Sequence, residues 1–268
     1  MTVERVDTPD DPRLAPYRDL RSSDTVRRKG LFVAETRDIV RHLLASRRFG
    51  VHSVLLTDTA REAIGDALDA RVGFPIYVAP LPVLKAIVGF DFHRGCLALG
   101  VRDERSSIDD VLARGAQRLV LLEDVSNPDN MGGILRVARG LGAHGTLLSP
   151  ASGDPLYRKA IRVSMGAALE LPWARVSDWD AALVRVRNAG FTLVALDPRD
   201  GVDVAALGCG VPVPSRTALL VGTEGAGLRA RTRAAADLAI RIPMVSGVDS
   251  LNVVTACAIA LERLGGAR

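Results

Sequence analysis

Six short β-rich runs alternate with helical segments from residue 117 to the end of the chain, and this alternation constrains the fold most strongly. The runs are RLVLLED, GTLLS, ELPWARV, FTLVALD, TALLVGT and LAIRIPM, and the predicted helices lie near 131–141, 157–168, 178–189 and 250–264. Strands that alternate with helices form a parallel sheet covered by helices on both faces. The sequence therefore predicts an α/β domain over residues 117–268.

A smaller α/β unit precedes this domain. LFVAE, VHSVLLTD, PIYVA and CLALGVR are strand-like, and TRDIVRHLLAS, REAIGDALDARV and LPVLKAIV between them have helical character. The charged, serine-bearing run RDERSSIDD that follows is typical of a linker. These patterns predict a polar lead-in at 1–30, a small domain at 31–103, a linker at 104–116 and the larger domain at 117–268.

Composition narrows the class of protein. The 35 basic residues outnumber the 31 acidic ones, which gives a net charge of +4 and allows an anionic partner such as RNA without requiring one. Aromatic residues make up only 4% of the chain, which argues against stacking platforms as the main means of ligand binding. The N-terminus lacks the apolar core of a signal peptide, and no run approaches the ~18 apolar residues of a membrane span. We expect a cytoplasmic protein.

The three cysteines, Cys96, Cys209 and Cys257, lie far apart and lack the spacing of metal ligands. We expect them to be reduced, and we expect no metal.

The stretch NPDNMGGILRVARGLGA joins the first strand of the larger domain to a helix. Asn130 is predicted to cap that helix. Gly132 and Gly133 are predicted to bring bare backbone close to a ligand at the helix N-terminus, where free N–H groups favour anions. Arg136 and Arg139 fall off the apolar face of the helix. The turn could hold a phosphate, a dinucleotide, a nucleic acid backbone or no ligand at all.

A dinucleotide site is disfavoured by context. Residues 140–145 match the spacing GxGxxG, but these glycines end a helix and lead into a strand, whereas a dinucleotide fingerprint follows a strand and opens a helix. We interpret them as a C-terminal helix cap. The absence of a following Gly-Lys-Ser/Thr excludes a P-loop.

Two further stretches carry glycines or polar side chains beside strand ends. VGTEGAGL is a strand that breaks into a glycine-rich loop with one carboxylate, Glu224, followed by a basic patch. IPMVSGVDSLNVVTACAIALERL joins a strand to a helix that is apolar nearly all round, with Asp249 or Ser250 as the predicted cap. Asn252 begins that helix, where a buried amide must be hydrogen-bonded, either as a structural tie or as a contact to a ligand.

Taken in order, the three stretches resemble the three motifs of the SpoU-type RNA ribose 2′-O-methyltransferases of the SPOUT superfamily. The first resembles Asn-x-Gly-x-x-x-Arg, with Asn130, Gly132 and Arg136. The second resembles Gly-x-Glu-Gly-x-Gly, with Gly222, Glu224, Gly225 and Gly227. The third resembles Ile-Pro-Met followed by Ser-Leu-Asn-Val, with Ile242, Pro243, Met244, Ser250, Leu251, Asn252 and Val253.

The resemblance implies a fold, a cofactor and an assembly. It implies a deep trefoil knot in the C-terminal domain, a homodimer packed through the knot region, and S-adenosylmethionine bound by the knot loops. The cofactor-binding residues that it implies are Gly222, Glu224, Ile242, Met244 and Leu251. Residues 31–103, with GLFVAE near their start, are similar to a small α/β/α substrate-binding domain related to RNA-binding ribosomal proteins.

The resemblance also implies a reaction, the methylation of a ribose 2′-hydroxyl, and its catalytic set is Arg136, Asn130, Ser250 and Asn252. Arg136 could stabilise the developing alkoxide while holding an RNA phosphate, or it could act as a base in an unusual environment. The arginines and lysine expected to bind RNA, which we expect to be rRNA rather than tRNA, are Arg27, Arg28, Lys29, Arg139, Arg229 and Arg231.

Two positions depart from the family pattern, and two alternatives stay open. The family often has glycine where this chain has Thr36, and serine where it has Val254. A non-catalytic RNA-binding protein with the same fold, or a base-methylating SPOUT enzyme, would carry much of the same pattern.

Overall fold

The computed structural model describes residues 2–18, 20, 23–88, 95–102, 106–113, 115–247 and 250–265, with the backbone alone for 23–25. Contacts divide the chain into two units, which are described separately. The first unit comprises Met1–Glu104 and Leu156–Glu170, and the second comprises Arg105–Pro155 and Leu171–Arg268.

The described strands are β1 (Thr2–Arg5), β2 (Leu31–Glu35), β3 (Gly50–Leu56), β4 (Pro75–Val78), β5 (Cys96–Val101), β6 (Arg118–Glu123), β7 (Gly145–Leu148), β8 (Trp173–Arg175), β9 (Thr192–Leu196), β10 (Val202–Asp203), β11 (Thr217–Gly222) and β12 (Leu238–Arg241). The helices are α1 (Ser23–Arg28), α2 (Arg37–Ala45), α3 (Asp58–Ala63), α4 (Gly65–Asp69), α5 (Leu81–Val88), α6 (Ile108–Val111), α7 (Pro128–Gly140), α8 (Arg158–Val163), α9 (Ala167–Glu170), α10 (Trp179–Asn188), α11 (Ala230–Ala234) and α12 (Val253–Leu264). Pro12–Tyr17 and Val204–Ala206 form 3-10 helices.

The first unit is built on a five-stranded sheet in the order β1-β4-β3-β5-β2. β1, β4 and β3 are parallel, and β5 runs antiparallel to β3 and β2. The predicted polar lead-in at 1–30 contributes β1 and a 3-10 helix whose Leu14 and Tyr17 are buried. The predicted helix over REAIGDALDARV is two short helices, α3 and α4, which meet at Ile64.

The segment Leu156–Glu170 belongs to the first unit, although its place in the sequence predicted the second. Glu35, at the end of β2, is only 7% exposed, and a buried carboxylate requires charged or hydrogen-bonding partners. Arg158 of α8 supplies them with an Nη2–Oε2 distance of 2.9 Å, and Arg162 lies 3.4 Å from Oε1. Ser46 also donates to the Leu169 carbonyl. These contacts bind α8 and α9 to the first sheet.

The second unit is built on a seven-stranded sheet in the order β10-β12-β9-β11-β6-β7-β8, and every described pairing in it is parallel. β6 and β11 lie at its centre and are buried almost throughout, as parallel strands covered on both faces should be. The predicted α/β class with a parallel sheet is therefore confirmed. The predicted linker at 104–116 contains one short helix, α6.

The glycines of GLGAHG end α7, as predicted. Gly142 has a φ of +76°, and the Ala143 N–H donates to the Ala138 carbonyl at 2.8 Å, which closes a helix C-terminus in the left-handed form that favours glycine. Within the described residues, no helix has both the length and the apolar character that a membrane span requires.

Candidate functional site

The three sequence motifs meet at the carboxyl edge of the second sheet. The first follows β6 and forms the start of α7, the second follows β11, and the third runs from the end of β12 into α12. β6 and β11 are neighbours in the sheet, and β12 lies beyond β9. Helices α7 and α12 pack against each other, so the third motif returns to the first.

Helix α7 begins three residues earlier than predicted, and its cap is Asn127. The Asn127 side chain accepts a hydrogen bond from the Asp129 N–H at 2.9 Å, and Pro128 occupies the first helical position. Proline fits there because it has no N–H to leave unpaired, so the cap is the residue before it. The predicted cap, Asn130, was therefore wrong, and its side chain is 6% exposed inside the helix.

Gly133 allows α7 and α12 to pack closely and does not lie against a ligand site. A Cβ atom added there would lie 2.7 Å from Cγ2 of Val254 on α12, a distance that real Cβ contacts do not show. The prediction that Gly133 brings bare backbone to a ligand was therefore wrong, because Val254 fills that space. Arg136 and Arg139 are exposed on α7, as predicted, and Arg136 makes no hydrogen bond or ion pair to the described residues.

One amide joins the three motifs. Asn252 caps α12, since its Oδ1 accepts from the Val254 N–H at 2.9 Å. Its Nδ2 donates to Asn130 Oδ1 at 3.2 Å and to Glu224 Oε1 at 3.1 Å. The prediction that Asp249 or Ser250 caps this helix was wrong, and Asp249 lies outside the described residues. Both polar groups of the Asn252 side chain are thus hydrogen-bonded at the junction of the motifs, but the residue is exposed, so the expectation of a buried amide was wrong.

The glycine-rich loop after β11 folds back on the end of its own strand. A Cβ at Gly222 would lie 2.2 Å from the carbonyl carbon of Gly227, so no side chain fits there. The Gly227 N–H donates to the Thr223 carbonyl at 3.0 Å, and Gly225 and Gly227 have φ values of +82° and +69°. The loop therefore needs glycine both for close approach and for left-handed backbone.

A cavity of about 820 Å³ lies against these loops. Its size is typical of a site for a cofactor or small molecule. All five residues predicted to bind the cofactor line it, together with two of the predicted catalytic residues: Gly222, Glu224, Ile242, Met244 and Leu251, with Ser250 and Asn252. Asn130 reaches this lining through its hydrogen bond to Asn252, whereas Arg136 is not part of the described lining.

Three charged residues of the lining were not among the predicted site residues: Asp197, Arg199 and Arg233, of which Arg233 belongs to the basic patch noted after the glycine-rich loop. Asp197 directly follows β9 and is 7% exposed. Its Oδ1 accepts from the Arg199 N–H at 2.9 Å, and Arg233 Nη1 lies 3.4 Å from its Oδ2. The available signal was its position, a carboxylate immediately after the apolar strand FTLVAL, at the edge of a parallel sheet where ligands bind.

Two of the arginines predicted to bind RNA are held by carboxylates. Arg229 pairs with Asp124, and its backbone N–H donates to the buried Glu123 at 2.8 Å. Arg231 lies 3.0 Å from Asp180 in an exposed pair. Exposed pairs of this kind are weak and leave the arginine available to a stronger anion. The other four predicted residues are exposed: Arg27, Arg28, Lys29 and Arg139.

The described residues hold no group of three or more His, Cys, Asp or Glu side chains that could bind a metal ion. All three cysteines are free, and burial raises the pKa of the Cys96 and Cys257 thiols to about 12.

Comparison with known proteins identifies a family for this arrangement. The family model described as the SpoU rRNA Methylase family matches residues 117–262. An uncharacterized tRNA/rRNA methyltransferase of Mycobacterium tuberculosis (strain H37Rv) is 41% identical over 266 residues, which cover 97% of this chain and 91% of that protein. The 23S rRNA (guanosine-2′-O-)-methyltransferase RlmB of a Burkholderia species is 33% identical over 72% of this chain and 78% of its own length.

Solved structures extend the likeness to the whole chain. The AdoMet-bound rRNA methyltransferase from Sinorhizobium meliloti superposes with a TM-score of 0.81 at 24% identity, covering 98% of this chain and 97% of that one. The SpoU methyltransferase AviRb from Streptomyces viridochromogenes, in complex with AdoMet, gives a TM-score of 0.79 at 25% identity over 95% of this chain and 97% of its own.

Proposed function

This chain belongs to the SpoU rRNA methylase family, and we propose that it transfers a methyl group from S-adenosylmethionine to a ribose 2′-hydroxyl of structured RNA. One observation carries the proposal. The amide of Asn252 joins Asn130 and Glu224, so that residues far apart in the sequence meet beside a cavity of cofactor size. The relative RlmB, named as a guanosine-2′-O-methyltransferase of 23S rRNA, supports the ribose as acceptor and rRNA as substrate.

The residues of the cavity fit S-adenosylmethionine. The cofactor carries a sulfonium, an ammonium and a carboxylate, and the lining offers the carboxylates of Asp197 and Glu224 with the guanidinium groups of Arg199 and Arg233. The glycine loop at 222–227 adds backbone that no side chain covers. When bound, the cofactor supplies an electrophilic methyl group attached to a good leaving group. The protein must then position the attacking oxygen and manage its proton.

We assign the positioning of the ribose to the junction of the motifs. Asn252 donates hydrogen bonds to Asn130 and Glu224, and Ser250 lies on the same lining. Arg136 projects from the exposed side of α7 with no partner among the described residues, so its guanidinium is available to an RNA anion. Since an arginine is a poor base, we assign Arg136 to holding a phosphate and stabilising the developing alkoxide.

The reaction is tested with methyl-labelled S-adenosylmethionine. The protein is incubated with unmodified rRNA and tRNA pools and with ribosomal particles, the RNA is digested to nucleosides, and the labelled product is identified by mass. Label on a ribose 2′-oxygen of rRNA is the expected result. Label on a base would replace the proposal by base methylation. Binding of S-adenosylhomocysteine without transfer to any of these substrates would support the non-catalytic alternative.

The role of Arg136 is tested by Arg136→Ala, with Arg185→Ala as the matched control. Arg185 lies on α10 and forms an exposed pair with Asp109 of α6, and neither residue lines the cavity. We expect Arg136→Ala to lower kcat on the order of 100-fold or more while S-adenosylhomocysteine binding is unchanged, because an interaction made in the transition state is lost. Equal loss of cofactor binding and turnover would contradict this role.

We also propose a homodimer that packs through the C-terminal region, with the knot that the family resemblance implies. Only four residues of α12 are buried within the unit: Cys257, Ala260, Leu261 and Leu264. The neighbouring Val253, Val254 and Ile259 are partly exposed, as a helix that meets a second subunit would be. Light scattering coupled to size exclusion should give twice the mass of the chain, and a monomeric mass would contradict the proposal.

A further inference from the structure

The second unit contains a buried carboxylate that lies outside the three motifs and has not been assigned to a particular group of the cofactor. Asp197 is 7% exposed, yet it lines the cavity described above. A carboxylate has about four lone-pair sites for hydrogen bonds. Among the described residues, Asp197 accepts from the Arg199 N–H at 2.9 Å and from Arg233 at 3.4 Å. A buried charge with so few close donors is expected to accept from a ligand.

The position of Asp197 defines which part of a ligand it can meet. It follows β9, which lies between β11 and β12, whereas Asn130 belongs to α7, which follows β6 on the other side of β11. Neighbouring strands are about 4.8 Å apart, so β9 and β6 are separated by about 10 Å. Since the proposed function assigns the acceptor ribose to the side of Asn130, Asp197 would meet a part of the cofactor away from the transferred methyl group.

We propose that Asp197 recognises the vicinal hydroxyls of the cofactor ribose, an inference that rests on the proposed function. A vicinal diol presents two adjacent O–H donors, which a carboxylate can accept together. An acidic side chain at the edge of a parallel sheet plays this part in dinucleotide-binding domains, where it accepts from ribose hydroxyls. The diol also lies a few bonds from the sulfonium, which agrees with a site set back from the methyl group.

The test measures binding, not turnover. Calorimetry is performed with S-adenosylhomocysteine, its 2′-deoxy analogue and 5′-methylthioadenosine, which keeps the diol but lacks the amino acid. The variant is Asp197→Asn, whose remaining carbonyl oxygen can still accept from the Arg199 N–H. The control is Asp200→Asn, since Asp200 is exposed nearby and does not line the cavity. Asp197→Ser is a second variant, and thermal melting checks that each protein is folded.

We expect Asp197→Asn to weaken S-adenosylhomocysteine and 5′-methylthioadenosine on the order of 10- to 100-fold, the worth of a hydrogen bond to a charged group. On the wild type, the 2′-deoxy analogue should bind more weakly than S-adenosylhomocysteine by a similar factor. On Asp197→Asn, the two ligands should bind with nearly equal affinity. Asp200→Asn should match the wild type throughout.

Three results would overturn the inference while leaving the proposed cofactor in place. Wild-type affinity in both Asp197 variants would show that the carboxylate makes no contact. An equal loss of affinity for the ribose and deoxyribose ligands in the Asp197 variants would show that the carboxylate does not bind the diol. A loss confined to ligands that carry the amino acid would assign it to the ammonium group. Failure of the wild type to bind any of the three ligands would instead overturn the proposed cofactor, and the diol contact with it.

Discussion

Thr36 adopts a backbone conformation that is unstrained for glycine but strained for threonine. Its φ is +86° and its ψ is 150°, a region that is essentially restricted to glycine and costs other residues about 1–3 kcal/mol. It stands at the position where the related family often has glycine. The conformation is held because the Thr36 N–H donates to the Cys96 carbonyl at 3.1 Å while α2 starts at the next residue.

Thr36→Gly should therefore stabilise the first unit. Relief of strain contributes about 1–3 kcal/mol. Against this, glycine costs about 0.5–1 kcal/mol through the greater freedom of the unfolded chain. Replacing the threonine cap by glycine costs only a few tenths of a kcal/mol. This cap bond, from the Ile39 N–H to Thr36 Oγ1, is already long at 3.4 Å. The free energy of unfolding should rise by about 1 kcal/mol.

Thr36→Ala is the matched control, because alanine keeps a Cβ in the same strained conformation and loses the cap. It should lower the free energy of unfolding by about 0.5–2 kcal/mol. Urea unfolding followed by far-UV circular dichroism, together with calorimetry, is the appropriate assay. Tryptophan fluorescence is unsuitable, since Trp173 and Trp179 both lie in the second unit. If the glycine variant is no more stable than the alanine variant, the argument from strain is refuted.

Two further predictions concern packing and thiol reactivity. Gly133→Ala should lower the free energy of unfolding of the second unit by about 1–3 kcal/mol, because the added Cβ clashes with Val254. Combining it with Val254→Ala should remove that loss. If the effects of the two substitutions simply add in a double-mutant cycle, the contact is contradicted. At pH 8, iodoacetamide should label the exposed Cys209 quickly in the native protein, and the buried Cys96 and Cys257 only after denaturation. The raised pKa of the two buried cysteines keeps them as unreactive thiols. Early labelling of Cys96 or Cys257, detected by mass spectrometry of peptides, would contradict this prediction.

The sheet of the second unit could be predicted because hydrophobic periodicity is a local property. Each of its six β-rich runs contains a strand, and the three motifs stand at strand ends. The junction of Asn130 and Asn252 could not be predicted from periodicity, since it joins side chains 122 residues apart. The segment at 156–170 shows the same limit. An amphipathic helix shows in its sequence that it packs on a sheet, but not on which sheet.

The predictions of the N-cap residues of α7 and α12 were wrong for a different reason. NPDN and SGVDSLN each contain several residues that cap helices well, and cap preferences alone do not rank neighbours. Pro128 was the signal that could have decided the first case, because proline at the first helical position assigns the cap to Asn127. Strand β1 was missed because TVER is short, mostly exposed and polar, as suits the edge of a sheet.

The pairing of Glu35 with Arg158 affects how the protein is made. The two residues are 123 positions apart, and a ribosome adds about 5–20 residues per second, so the carboxylate is synthesised roughly 6–25 s before its guanidinium partner. In that interval β6, α7 and β7 of the second unit are synthesised. The first unit therefore cannot be completed before part of the second has been synthesised.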